Sequence, residues 1–261
     1  MKTISRVTVW SLAMVLVSGL PALAAGPADT PIAIDSIETL QRIGLDPAYP
    51  LNGYYVLTQD IDASSTVEWN GGAGFLPIGA TPLMEQGLAV TDEENLAVAD
   101  KNLFFNGWFD GQGFRIRGLY INRPENHGVG LFHTLAATAV VVNVGIEGGS
   151  ITGAHYVGGL AGGNWSESVS ACFSTAAVSG ISRVGGLIGI NRGFIDACYA
   201  MGPVQGDHFI GGLVGRNYKG VLQECYAAGP VAGNRWVGGL NGNSVEAAAI
   251  ACFWDVNASG T

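Results

Sequence analysis

The sequence predicts an all-β protein, a parallel β-solenoid, on three observations: a block that recurs at a fixed period, marker residues held in phase with it, and a glycine content hostile to helix. Val157-Gly158-Gly159-Leu160 returns as Val184–Leu187, Ile210–Leu213 and Val237–Leu240, and the first glycines lie 27, 26 and 27 residues apart. An Asn follows each block, at Asn164, Asn191, Asn217 and Asn243, and then a Cys with an aromatic neighbour, at Cys172, Cys198, Cys225 and Cys252. The chain holds 40 Gly in 261 residues, and each interior Gly costs a helix about 1 kcal/mol relative to Ala.

Each unit contains short apolar runs punctuated by Gly or Asn, which read as strands and turns. One unit cannot bury its apolar face alone, so units stack, placing equivalent residues about 4.8 Å apart. The expectation is a right-handed, three-sided β-helix with about 26–27 residues per coil and an N-terminal cap; the handedness follows the general rule for parallel crossovers.

In chain order, Lys2 and Arg6, the uncharged run Val7–Leu20 and the small-residue site Ala22-Leu23-Ala24 predict a signal peptide at 1–24. Residues 25–103 form the cap and lead-in, with a helix near Ser36–Ile43, a strand at Tyr54–Leu57 and an acidic inserted loop at 81–102. Coils occupy 104–256, and 257–261 is a bare end where further C-terminal repeats or domains of a larger chain are expected. No later stretch reaches the roughly 18 apolar residues of a spanning helix, so no membrane insertion is expected.

Charge narrows the partners. Removing 1–24 takes away two of 12 basic residues and none of 21 acidic ones, so the net charge of −9 becomes −11. Phosphate backbones attract basic surfaces, and a nucleic-acid partner is therefore not expected.

The repeats resemble the GLUG motif, whose Gly-Leu-any-Gly core stands here as Gly186-Leu187-Ile188-Gly189 and Gly212-Leu213-Val214-Gly215. The resemblance covers about 104–256 and extends to Phe109–Gly113, Ile116 and Leu119–Ile121. The lead-in Ile37–Leu40 and Tyr55–Asp62 and the closing Cys252–Asp255 are similar too. It implies a secreted or surface-exposed bacterial β-solenoid, as in haemagglutinin-like adhesins and the N-terminal parts of immunoglobulin-A-specific metallopeptidases. The peptidase signature His-Glu-x-x-His does not occur in this sequence.

Candidate sites are few. The four cysteines form one ladder, read either as small buried hydrophobes or as vertical disulfides such as Cys172–Cys198. Asn164, Asn191, Asn217 and Asn243 are read as a second structural ladder, hydrogen-bonded along the axis. No metal or cofactor is expected, because Cys-x-x-Cys and Cys-plus-His clusters are absent. Asp60, Asp62 and Asp110 are the carboxylates nearest to a lyase or glycosidase pattern, but the first two lie in the lead-in and Asp110-Gly111 is a turn signal, so a structural role is expected of all three. His155 and His208 are read as residues of a solvated turn, His127 and His133 as peripheral.

The column before each block, Tyr156, Arg183, Phe209 and Trp236, points outward if Val157 and its equivalents point inward. It is the candidate ligand-binding surface, for glycans or for host or extracellular proteins. The predicted function is a non-catalytic exported module, adhesin-like or a stalk at the bacterial surface, extracellular or periplasmic. The alternative is a polysaccharide lyase or glycoside hydrolase on the same scaffold.

Overall fold

A computed structural model describes residues 30–80 and 104–261. The predicted signal peptide and the predicted acidic insertion lie outside these residues. The described chain is a parallel β-solenoid of about seven turns.

One coil shows the plan. Ala177–Ser179, Ser182–Gly185, Ile188–Asn191, Phe194–Asp196 and Tyr199–Ala200 each pair in parallel with their equivalents in the coils above and below. Five columns result, here called sheets I to V in that order, with five, four, five, eight and seven strands. The repeat sets the register: Val157, Val184, Ile210 and Val237 align in sheet II. Val141, Val169, Ile195 and Leu222 align in sheet IV, fully buried. Stacking identical apolar positions thus turns a sequence period into a continuous core.

Sheet IV begins earlier than the predicted coils. Ile32–Ile34 pairs with Tyr54–Leu57, which pairs with Trp108–Asp110, so the lead-in itself supplies the first turns. Between those strands runs the helix α1 (Ile37–Gln41), whose N-cap Ser36 accepts the Thr39 N–H. Its Ile37 and Leu40 are buried in the core. The Gln41 carboxamide then pins it to Leu76, donating to the carbonyl at 3.0 Å and accepting the N–H at 2.8 Å.

Sharp corners separate the sheets. Between IV and V the five coils from Val140 onward each pass through a left-handed residue: Asn143, Ala171, Ala197, Glu224 and Ala251 have φ of 49–57°. A left-handed non-Gly residue costs about 1–2 kcal/mol, so stacking in register must overdetermine each corner.

The last coil departs from the pattern. Trp254 takes the place of Ser174, Ala200 and Ala227 in the sheet V register and lies over Gly239. The single-turn helix α2 (Val256–Ser259) follows, and the Asp255 carboxylate accepts the N–H groups of Asn257 and Ala258. Among the described residues no helix is long and apolar enough to cross a membrane.

Candidate binding face

The column Tyr156, Arg183, Phe209 and Trp236 lies in sheet II, but not as simple alternation predicts. All four residues are left-handed, with φ of 58°, 55°, 57° and 52°. The ladder skips them: His155 pairs with Ser182 and Val157 with Val184, leaving the residue between unpaired. The strand therefore bulges outward at the same place in every coil.

The bulged side chains stack. Phe209 and Trp236 lie 4.5 Å apart and 7° from parallel. The Arg183 guanidinium sits 5.0 Å from the Tyr156 ring centre and 5.3 Å from that of Phe209. Contacts of this kind stabilise by about 0.5–1 kcal/mol each, enough to offset much of the backbone strain. The expectation of an exposed column needs correcting at its start: Tyr156 is only 3% exposed, whereas Trp236 is 52% exposed. Stacking is the reason, because ring faces inside the column are covered by the neighbouring coils. Arg183 and Phe209 are half-buried.

A second column, which the sequence reading missed, runs beside it in sheet III. Arg192 lies 5.9 Å from the Trp165 ring centre and 4.7 Å from that of Tyr218. Arg216 bridges the two columns, 5.3 Å from Phe209 and 5.2 Å from Tyr218. The signal was present: Trp165, Arg192 and Tyr218 each follow a laddered Asn directly. The segments 155–165, 182–192, 208–218 and 235–245 contain no Asp or Glu. At their borders Asp207 is held by Asn234 and by His208 (both 2.6 Å), and Glu246 lies 3.7 Å from Lys219. Among the described residues, these four segments thus bring arginines and rings together on strands that carry no carboxylate of their own.

The Asn ladder is continuous over three coils. Asn164 Nδ2 donates to Asn191 Oδ1 at 2.8 Å, and Asn191 Nδ2 donates to Asn217 Oδ1 at 3.0 Å. Asn164 and Asn191 also accept an N–H two residues on, from Ser166 and Gly193. Asn243 does not belong to it: Asn243 pairs with Arg216, and Ser244 stands opposite Asn217. Asn243 follows its Val-Gly-Gly-Leu block one residue early, and a shift of one residue moves a side chain to the other face.

Cys172, Cys198, Cys225 and Cys252 are free thiols, the first three buried. Each donates to a carbonyl two residues back, of Ser170, Asp196, Gln223 and Ile250, at 3.1–3.3 Å. Burial pushes the Cys225 thiol up to about 12 and holds Cys198 well above its usual range. Both therefore remain protonated and unreactive. Beside them on sheet V the Phe173 and Tyr199 rings stack at 4.9 Å and 1°, a ladder the sequence showed only as a repeat marker.

His133 is not peripheral: it is 4% exposed, stacked on Phe104 at 5.9 Å, and burial with His127 nearby lowers its pKa to about 4. His127 and His155 stack at 4.7 Å. His155 and His208 lie within strands of sheet II, half-buried, rather than in a solvated turn. The carboxylates have structural partners. Asp60 pairs with Arg117 at 3.0 Å, Asp62 accepts the Ser64 N–H, and Asp110 accepts from Gln112 and Asn143. Among the described residues no group of three or more His, Cys, Asp or Glu could hold a metal ion.

Comparison with known proteins places this geometry in context. No protein-family model matches the chain. Halomucin of Haloquadratum walsbyi is 37% identical over 166 residues, 63% of this chain and 2% of halomucin. A candidate Gly-rich membrane protein of Evansella cellulosilytica is 33% identical over 133 residues, 49% of this chain and 13% of that protein. The chain thus spans a small fraction of these relatives' length. The crystal structure of a candidate immunoglobulin A1 protease from Bacteroides ovatus superposes with a TM-score of 0.58 at 17% identity, over 88% of this chain and 68% of that one. At that identity the likeness is one of fold.

Proposed function

We propose that the chain is a non-catalytic, exported β-solenoid module of the GLUG type that works at a cell surface as an adhesin-like binding element. One observation carries this reading: two columns of rings and guanidiniums run side by side over sheets II and III. Stacking on rings fixes the plane of each guanidinium, and Arg and aromatic residues are enriched at recognition surfaces. The relatives' names, a halomucin and a Gly-rich membrane protein, favour a surface or extracellular setting. Its partners on this reading are glycans or extracellular proteins.

The test is an array of glycans and extracellular-matrix proteins probed with residues 25–261 and with an Arg192→Gln/Arg216→Gln variant. Selective binding that weakens at least tenfold in the variant and falls with salt is expected. Binding that the variant leaves unchanged would sink the assignment to this face, and no binding at all would sink the adhesive reading.

A further inference from the structure

The Arg-bearing face is not the only surface built for contact. Where the lead-in joins the first coils, a cleft of about 450 Å³ opens on the outer side of sheet IV. Tyr54, Trp108 and Val140 align across three adjacent strands and line it. In the segments just before each of these strands stand Asn52, Asn106 and Thr138, which line it too. The floor is therefore a polar row beside an aromatic row, with the rings of Tyr54 and Trp108 meeting edge-on at 6.0 Å.

Two polar atoms of this floor have no partner: Asn106 Oδ1, an acceptor, and Trp108 Nε1, a donor, both buried. Unmatched buried polar atoms are rare and call for an explanation. Hydroxyl groups can answer both kinds of atom, because each donates one hydrogen bond and accepts others. The eleven residues that line the cleft include no charged side chain, so nothing here selects an anion or a cation.

The backbone under the rings is already engaged. Asn106, Trp108 and Val140 donate their N–H groups to Leu51, Gly53 and Gly107. The strands that carry Tyr54, Trp108 and Val140 are interior to an eight-stranded sheet, whose nearer edge strand is Ile32–Ile34. An extended peptide, which binds by adding a strand to an open edge, would have to use Ile32–Ile34 and not the strands that carry the rings.

We infer that this cleft is a binding site for a neutral saccharide, with sugar C–H faces against Tyr54 and Trp108 and hydroxyls on Asn106 Oδ1 and the Trp108 indole N–H. The site is separate from the Arg-bearing face and does not depend on it.

The experiment titrates residues 25–261 with neutral gluco-, manno- and galacto-oligosaccharides, beside polygalacturonate, by calorimetry. At least one neutral oligosaccharide binds, with an affinity that stays within twofold between about 50 and 500 mM salt, since no counterion is displaced. Asn106→Leu weakens it at least tenfold. Trp108→Phe, which keeps the ring and removes the N–H, weakens it at least threefold while circular dichroism stays unchanged. The Arg192→Gln/Arg216→Gln variant binds it normally, which separates this site from the face proposed above. The inference is overturned if no neutral oligosaccharide binds at millimolar concentration, if only polygalacturonate binds, or if Trp108→Phe binds as the parent does.

Discussion

The coil holding Val184–Leu187 and the coil holding Val237–Leu240 carry the same tetrapeptide in the same register. Val184 and Leu187 are fully buried, whereas Val237 is half-buried and Leu240 is 6% exposed. The contrast grows along the coil: Asn191 is fully buried, while its counterpart Ser244 is exposed, and Ala200 is buried where Trp254 is open to solvent. Burial in a solenoid belongs to the neighbours and not to the motif. A coil covered on both sides gains two interfaces, and the last described coil gains one. Identical residues should therefore differ in energetic weight, and three measurements put that difference at risk.

The largest effect falls on the ladder. Asn191→Ala strands the Asn164 Nδ2 donor and the Asn217 Oδ1 acceptor inside the core, each worth about 1–3 kcal/mol when left unsatisfied. A loss of about 4 kcal/mol in denaturant unfolding is expected, against less than about 0.5 kcal/mol for Ser244→Ala, an exposed side chain. Equal losses would erase the distinction between covered and uncovered coils.

The second measurement uses pH. His133 has its pKa lowered from 6.5 to about 4 in the folded chain, so the unfolded chain takes up the proton first as pH falls. Its contribution is complete above about pH 6.5 and is lost on descending toward pH 4, amounting to about 3 kcal/mol. Burial shifts His127 and His155 in the same direction. Thermal unfolding of the parent and of His133→Gln at pH 7 and pH 4.5 checks this: the variant should show the smaller drop. A drop of equal size would mean that His133 is not the buried base.

The smallest effect is kinetic. Cys172, Cys198 and Cys225 are buried, and Cys252 is half-buried. Brief iodoacetamide treatment followed by mass spectrometry should label Cys252 at least tenfold faster than the other three, because accessible thiols react first. Uniform labelling would show that the covered coils open as readily as the last one.

Much of this architecture was legible beforehand, and the failures have physical causes. A helix is expected near Ser36–Ile43, and the structure places α1 there, at Ile37–Gln41, with Ser36 as its N-cap. The exposure expected of Tyr156 did not hold, because neighbouring coils cover its ring, whereas Trp236 on the same left-handed backbone is 52% exposed. The second ring column was marked only by its place after the laddered Asn, and the cleft on sheet IV was hidden because it joins residues from different coils. Asn52, Asn106 and Thr138 are separated by 54 and 32 positions in the chain, and no local pattern links them.

The sequence by itself determined the period, the parallel stacking and the interior ladders, because a repeat in register leaves each apolar position only its own copies as neighbours. The tertiary structure alone decided which copies are buried, which carboxylates are engaged and which polar atoms lack a partner. Those properties depend on what lies above, below and beside a residue. A one-dimensional repeat specifies only the first two of these, and only for coils covered on both sides.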